Sequence, residues 1–260
     1  MTEEAAPDYT IQAVDRALAV LEAVAEQPGI GLAALARRVG ATKTLAFRMA
    51  ATLEARGYLL KDAEAKTYWL GYRPLWLGEQ VPAHSPLLRA AGPLLDGLAA
   101  RTRENASLLV REGTECVVVA VRQSPQPIRL YAEPGRRGLL HVGGGPKLLL
   151  AYAPPEVQAA VLAGPLPAFT PETVTDAARL ATVLAGIRRR GHNVSHGDLD
   201  AGAFSVAAPV RDHAGRVIAS VSVAGPQSRL TPDGERQYVR LCRAAAEELS
   251  QRLGWQARAA

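Results

Sequence analysis

The chain is predicted to be an α+β protein of two domains, on three observations. Residues 31–57 place apolar side chains at one-face helical spacing on both sides of a tight turn. Residues 58–70, YLLKDAEAKTYWL, set aromatic and aliphatic residues at both ends of a polar centre, the pattern of two short strands and a loop. Farther on, SLLVREG, ECVVVAVRQ, IRLYAE, FSVAAPV and VIASVSV are β-branched or alternating, with apolar helical segments between them. An amino-terminal winged helix-turn-helix followed by an antiparallel sheet flanked by helices accounts for all three. A length of 260 residues, 48% hydrophobic and 21% charged, suits two modest globular domains.

Val14, Leu18, Leu21 and Val24 recur on one face of a first helix expected over about residues 13–26, which the Gln27-Pro28-Gly29 breaker ends. Leu32, Leu35, Ala36 and Val39 mark the next helix. Gly40 can take the left-handed conformation that closes it, and Thr42 can cap a third. That third helix, about residues 43–56, buries Leu45, Ala46, Met49 and Leu53, which leaves Lys43, Thr44, Phe47, Arg48 and Ala51 on the outward face. The hairpin after it forms a wing carrying Lys61 and Lys66. Pro, Gly and large apolar residues mix in GYRPLWLGEQVPA, so the domain boundary is placed there. Residues 1–72 form the winged-helix domain, 73–84 a linker with a short helix near 74–79, and 85–260 the second domain.

The second domain opens with a helix carrying Leu87, Leu88, Leu94, Leu95 and Leu98, kinked or started at Gly92-Pro93 and ending near Thr102. Three strands follow, at SLLVREG, ECVVVAVRQ and IRLYAE. HVGGGPKLLLAYAP then runs from a glycine loop into a short helix, and residues 155–162 and 176–191 supply two more. Strands over 204–210 and 217–223 flank the turn Asp212-His213-Ala214-Gly215. In the second of these, Ser220 and Ser222 share a face with Ile218, opposite Val217, Ala219, Val221 and Val223. A last helix over 231–253 begins with Thr231-Pro232, a cap followed by a proline in the first turn.

Net charge is +5, and its placement says more than its size. Between residues 31 and 73 eight basic residues stand against three acids, an excess of five, so the rest of the chain sums to zero. A local excess of positive charge at a helix-turn-helix is the footprint expected of a module that binds double-stranded DNA, because phosphates supply most of the sequence-independent affinity. The stretch MTEEAAPDYTIQ is acidic and lacks an apolar core, so no signal peptide is expected. No apolar run approaches the roughly 20 residues of a membrane helix. A cytoplasmic protein with no membrane partner is the expectation. Cys116 and Cys242 are too few for a disulfide framework and lack zinc or redox spacing, so both are read as buried thiols.

The same residues admit rival chemistries. Cys116, His141, His192, His196 and Asp198 include the types of a Cys-His-Asp centre, but Cys116 lies in CVVVAV, a buried-strand run. No catalytic residue is assigned and no enzyme is expected. GGGPK lacks the spacing of a phosphate-binding P-loop. His192, His196 and Asp198 would converge on a metal only from a helix, which Gly191 and Asn193 oppose, so neither metal nor cofactor is expected. A ligand sensor or protein-interaction module without operator specificity is the remaining rival, and the basic stripe disfavours it.

The order of AVDRALAVLEAV, GATKTLAFRMAATLEARGYL, YWLG and RRGHNVSHGDLDAGAFSVAAPVRDHAGRVIASVSVAGP resembles the IclR family of bacterial transcription regulators over nearly the whole chain. The resemblance implies a winged helix that binds operator DNA and a GAF-like carboxy-terminal domain that binds a small organic effector, a carboxylate or an aromatic compound. It also implies a homodimer or homotetramer. Thr42, Lys43, Thr44, Phe47 and Arg48 would then meet the major groove, with Lys61 and Lys66 on phosphates. Arg48 can pair with guanine or phosphate, Thr44 with base or phosphate, and Phe47 with a thymine methyl. Leu45 departs from the family, where a hydroxyl residue is usual, and removes one expected polar contact.

Carried over in the same way, the effector pocket would use His141, Gly143, Gly144 and Gly145, then Ser195, Asp198 and Ser205, and finally Ser220 and Ser222. The glycines would let backbone N–H groups approach an anion, and the serines would offer hydroxyls. Pro146-Lys147 stands where the family commonly has Gly-Lys, so one backbone donor is missing. Asp198 replaces a frequent glutamate.

Overall fold

The computed structural model describes residues 10–256, so the acidic stretch 1–9, where no signal peptide was expected, lies outside it. The chain divides into two compact units between His84 and Ser85.

In the first unit, α1 (Gln12–Glu26) leads through the two-residue strand β1 (Ile30–Gly31) into α2 (Leu32–Arg38) and α3 (Lys43–Ala55). The core is built from Val20, Ala23 and Val24 of α1, Leu35 of α2, and Met49 and Ala50 of α3, closed by Ile30, Leu59 and Tyr68. Burial corrects the face expected for α1. Val14 and Leu18 are each 54% exposed, because only the carboxy-terminal half of the helix packs on its neighbours.

Gly40, at φ +60°, ends α2 with paired bonds from Gly40 N to Arg37 O and Ala41 N to Ala36 O, a Schellman motif. Gly57, at φ +75°, ends α3 the same way, through Gly57 N to Glu54 O and Tyr58 N to Leu53 O. The turn delivers the chain directly into the wing. That wing is β2 (Leu59–Asp62) against β3 (Thr67–Leu70), with β1 added on the far side of β3. Asp62 Oδ1 accepts the Glu64 and Ala65 amides at 2.9 Å, and Lys66 takes φ +54° to close the loop. The short linker helix becomes α4 (Arg73–His84), whose first turn sets Arg73 over the Trp76 ring at 4.2 Å.

The second unit opens with α5 (Pro86–Thr102), capped by Ser85. No break occurs at Pro93. Gly92 has no Cβ to clash with the proline ring, and Ala91, Leu95, Leu98 and Ala99 hold both halves of the helix to one core. Then come β4 (Asn105–Glu112), β5 (Glu115–Arg122), β6 (Arg137–Leu139), α6 (Gly144–Ala151), α7 (Pro155–Ala163), α8 (Ala177–Arg190), β7 (Asn193–His196), β8 (Ala203–Arg211), β9 (Val217–Pro226) and α9 (Pro232–Arg252). Among the described residues these strands form one antiparallel sheet, ordered β6-β5-β4-β9-β8-β7.

Strand alternation sorts the sheet into two faces. Leu108, Phe204, Val206, Ala208, Ala219, Val221 and Val223 pack with α5 and α9, whereas Leu109, Cys116 and Ala207 pack with α6 and α8. Ser205, Ser220 and Ser222 alternate with the first group and so face the second. Val217 departs from its expected face, because a register shift at Val210/Arg211 turns it toward the α6 side.

IRLYAE is not a strand. Its carbonyls are met by side chains instead of a ladder: Leu130 O by Asn105 Nδ2 at 2.8 Å, Ile128 O by Arg229 Nη1 at 3.0 Å and Tyr131 O by Arg136 Nη1 at 3.1 Å. The third strand is β6, paired with β5 from Leu139↔Glu115 to Arg137↔Val117.

The tightest backbone approach sits at the base of the wing, where Gly71 N donates to Tyr58 O at 2.8 Å. A Cβ on Gly71 would lie 2.2 Å from Gly57 O, a backbone atom that cannot turn aside. Gly71→Ala is therefore expected to destabilise the first unit by about 1–3 kcal/mol or more, as overpacking does. Thermal unfolding of the full chain followed by Trp fluorescence checks this, and an unchanged first transition would contradict it.

Candidate functional site

Two constellations carry chemistry, one in each unit. In the first, the Thr42 hydroxyl accepts the Leu45 amide at 3.2 Å and so starts α3 at a fixed point. From that start Lys43, Thr44, Phe47 and Arg48 all project to solvent, with Phe47 46% exposed. Leu45 is half-buried against the core, so the departure from a hydroxyl there falls beside the outward stripe and not on it.

Lys61 Nζ stands 5.7 Å from the centre of the Phe47 ring, a cation–π contact that ties the wing to α3. Among the described residues Lys43, Arg48, Lys61 and Lys66 make no ion pair, whereas Arg38 of α2 is paired with Glu26. Four unpaired cations thus share this region with an exposed aromatic ring.

The second constellation lines a cavity of about 430 Å³ on the α6 side of the sheet. Its inner end is the start of α6. Gly143 turns the chain at φ +82°, and a Cβ on Gly144 would lie 2.5 Å from Ser205 Oγ, so only glycine lets α6 approach β8 this closely. Gly144 N donates to Ser205 Oγ at 2.7 Å.

Asp198 lies against the start of α6. Its carboxylate accepts Gly143 N at 3.1 and 3.2 Å, Lys147 Nζ at 2.5 Å and the Ser195 hydroxyl, and Lys147 Nζ also reaches Ser195 Oγ at 3.4 Å. Both members of the Lys147–Asp198 pair are more than nine-tenths buried. Thr173 Oγ1 holds the Asp198 carbonyl at 2.7 Å, so the acid is fixed through backbone and side chain alike.

Of the residues expected at the pocket, Gly143, Gly144, Gly145, Ser195, Asp198, Ser205 and Ser222 line this cavity. His141 and Ser220 do not. His141 is buried with Nε2 on Pro167 O at 3.0 Å, and Ser220 is covered by α6, where a Cβ on Gly145 would come 2.9 Å from its hydroxyl. That hydroxyl has no partner.

Several lining residues escaped sequence reasoning, among them Asn105, Ser107, Tyr131, Arg136, Arg137 and Phe169. Ser107 had a signal, since it lies directly across the ladder from Ser222 once SLLV is paired with VSV. Tyr131 and Arg136 come from the loop misread as a strand. Asn105 anchors that loop, donating to Leu130 O and accepting Ser124 N at 2.7 Å.

The elements of a nucleophilic centre do not converge. Burial pushes the Cys116 thiol up to about 11 and Cys242 up to about 12, so both stay protonated near neutrality. His141 is bonded to Pro167 O, His192 Nδ1 lies 3.0 Å from Arg190 O, and His196 pairs with Glu235. Among the described residues no group of three or more His, Cys, Asp or Glu could hold a metal ion, and no helix is long and apolar enough to cross a membrane.

Residues 80–251 match the family described as bacterial transcriptional regulator IclR C-terminal, and residues 13–63 match the IclR helix-turn-helix domain. The HTH-type transcriptional regulator BhcR of Paracoccus denitrificans is 33% identical over 222 residues, covering 85% of this chain and 80% of its own. A crystal structure of an IclR transcriptional regulator from Alicyclobacillus acidocaldarius superposes with a TM-score of 0.87 at 25% identity, covering 95% of this chain and all of that one. An IclR homologue from Microbacterium hydrocarbonoxydans, crystallised in complex with 4-hydroxybenzoate, superposes with a TM-score of 0.80 at 28% identity, covering 93% and 98%.

Removing one member of a buried ion pair leaves the other charge uncompensated. Asp198→Ala is expected to destabilise the second unit by about 3–5 kcal/mol. Urea denaturation of the full chain measures it, with Asp198→Leu/Lys147→Met as the comparison that should recover most of the loss. A single variant within about 1 kcal/mol of the parent would show that the pair does not hold α6 in place.

Proposed function

From membership in the IclR family of bacterial transcriptional regulators, to which this chain belongs, we propose how its two units divide the work. The protein is a DNA-binding regulator. Its α3 enters the major groove and its wing follows the backbone, with Thr44, Phe47 and Arg48 at base edges and Thr42, Lys43, Lys61 and Lys66 near phosphates. The observation that carries this reading is the capped, solvent-facing stripe of α3 with its unpaired cations. Such cations cost nothing to release from acidic partners when phosphates arrive.

Two copies act together. Ile11, Val14 and Leu18 form an exposed apolar row along α1, at 68%, 54% and 54%, a surface suited to a second copy of the same row. A homodimer would set two α3 helices on half-sites roughly 10 base pairs apart or a multiple of that, and pairing of dimers would give the homotetramer. The second unit takes a small organic effector in the cavity before α6, in keeping with the 4-hydroxybenzoate held by the Microbacterium homologue. Its binding shifts operator affinity by a coupling of about 1–3 kcal/mol. The covalent route for that coupling is α4. The chain acts in the cytoplasm by binding alone, without catalysis, cofactor or metal.

Fluorescence anisotropy on DNA from upstream of the protein's own gene tests the assignment. Affinity should fall steeply with salt and resist random competitor DNA. Lys43→Ala/Arg48→Ala should weaken specific binding by about tenfold to several hundredfold and flatten the salt dependence, while the second unit stays folded. Unaltered operator affinity in that double variant would sink it.

A further inference from the structure

The inner cavity is covered. Cys116, Ser195, Asp198, Phe204 and Ser222 line it, yet each is 5% exposed or less, so water scarcely touches them and anything larger needs a wall to move. Phe169 lines the same cavity and is 50% exposed, so it stands between the cavity and solvent. Two segments carry the outer wall. Residues 128–136 are tied at many points: Leu130 O by Asn105, Ile128 O by Arg229, Tyr131 O by Arg136, Arg136 O by Val118 N at 2.9 Å, and Gly135 N on Val118 O at 2.7 Å. The strap of residues 165–173, between α7 and α8, is fastened unevenly.

Its carboxy-terminal end is firm. Thr173 Oγ1 accepts Phe169 N and Thr170 N, both at 3.0 Å, and donates to Asp198 O, while Thr170 Oγ1 donates to Gly197 O at 2.6 Å. That end is thus tied to the segment that the Lys147–Asp198 pair holds. At the other end, residues 165–168 make a single hydrogen bond among the described residues, from His141 Nε2 to Pro167 O at 3.0 Å, beside an apolar contact of Leu166. A carbonyl only accepts, so Nε2 carries the proton. The same imidazole meets the Phe169 ring, with centroids 6.2 Å apart and planes tilted by 47°, within the range of favourable aromatic pairs. His141 is itself 2% exposed and lies off the cavity.

We infer that His141 is the latch of this strap: breaking its bond to Pro167 lets residues 165–169 swing on the Thr170–Thr173 turn, carries Phe169 off the cavity and admits the effector. His141 is thereby a positioning residue that acts through the strap and never touches the ligand. It sets how often the cavity opens, a local equilibrium separate from global unfolding. The gating role rests on the cavity being the effector site, as proposed above.

The chain carries its own reporters. Cys116 lines the cavity, whereas Cys242 is buried in the core on the α9 side and registers general unfolding. The full chain is treated with N-ethylmaleimide at one fixed pH, and alkylation of each cysteine is followed by mass spectrometry of its peptides. His141→Leu is expected to speed alkylation of Cys116 by about threefold to tenfold, the loss of one hydrogen bond, and to leave Cys242 unchanged. His141→Gln, whose amide can donate to the same carbonyl, should stay close to the parent. Phe169→Ala, at a half-exposed position, should speed Cys116 as well; should His141→Leu not fold, this variant decides. Cys116 no faster in Phe169→Ala, the Gln variant as fast as the Leu variant, or Cys116 and Cys242 accelerated together overturns the latch. The labelling uses no ligand, so such a failure leaves the effector assignment standing. Benzoate that alters operator affinity without slowing Cys116 alkylation would instead overturn that assignment, and the gating role with it.

Discussion

The buried Lys147–Asp198 pair is the contact on which the second unit turns. It fastens the segment between β7 and β8 to the first turn of α6, and through Gly143 it fixes the glycine loop that lets α6 lie against β8. A pair so deep is a weak source of net stability, because desolvation offsets much of the attraction. Its value lies in specificity of arrangement. With Ser195 and Thr173 added, Asp198 is fixed through side chain and backbone, and the wall it gives the cavity has its charge balanced by Lys147.

The first unit solves a different problem with local chemistry. One side-chain cap at Thr42 and two left-handed glycines at 40 and 57 fix where α3 begins, where α2 ends and how the chain enters the wing. These devices act over five or six residues. They orient the outward stripe without any ion pair on it, which leaves Lys43, Arg48, Lys61 and Lys66 available to phosphates. The Lys61–Phe47 contact links the wing to that stripe and is worth about 0.5–1 kcal/mol at an exposed site.

This difference explains what was legible beforehand. Thr42, Gly40 and the alternation of Ala219, Val221 and Val223 against Ser220 and Ser222 are local signals, and each element they mark stands where it was expected. Most of the failures are non-local. Residues 128–133 have strand propensity, yet their carbonyls bind Asn105, Arg136 and Arg229, the last about a hundred residues away in sequence. Val14 and Leu18 satisfy helical spacing, but spacing does not say which half of α1 meets a neighbour. Ser220 and Ser222 look equivalent in the chain; α6 covers the first and leaves the second open. Ser107 becomes visible only when the β4–β9 register is known.

Charge is distributed to match the two tasks. The excess of five over residues 31–73 stands on side chains free of acidic partners at α3 and the wing, whereas the buried and cavity-lining ions of the second unit are paired: Arg229 with Glu104, Arg137 with Glu112 and Glu115, Lys147 with Asp198. Phosphate binding needs cations free of partners, whereas selection of a small molecule in a buried cavity needs a field that does not attract every metabolic anion. The pairing of Arg137 and Lys147 meets the second need, because it leaves hydrogen-bond geometry and fit to discriminate among the small molecules that enter.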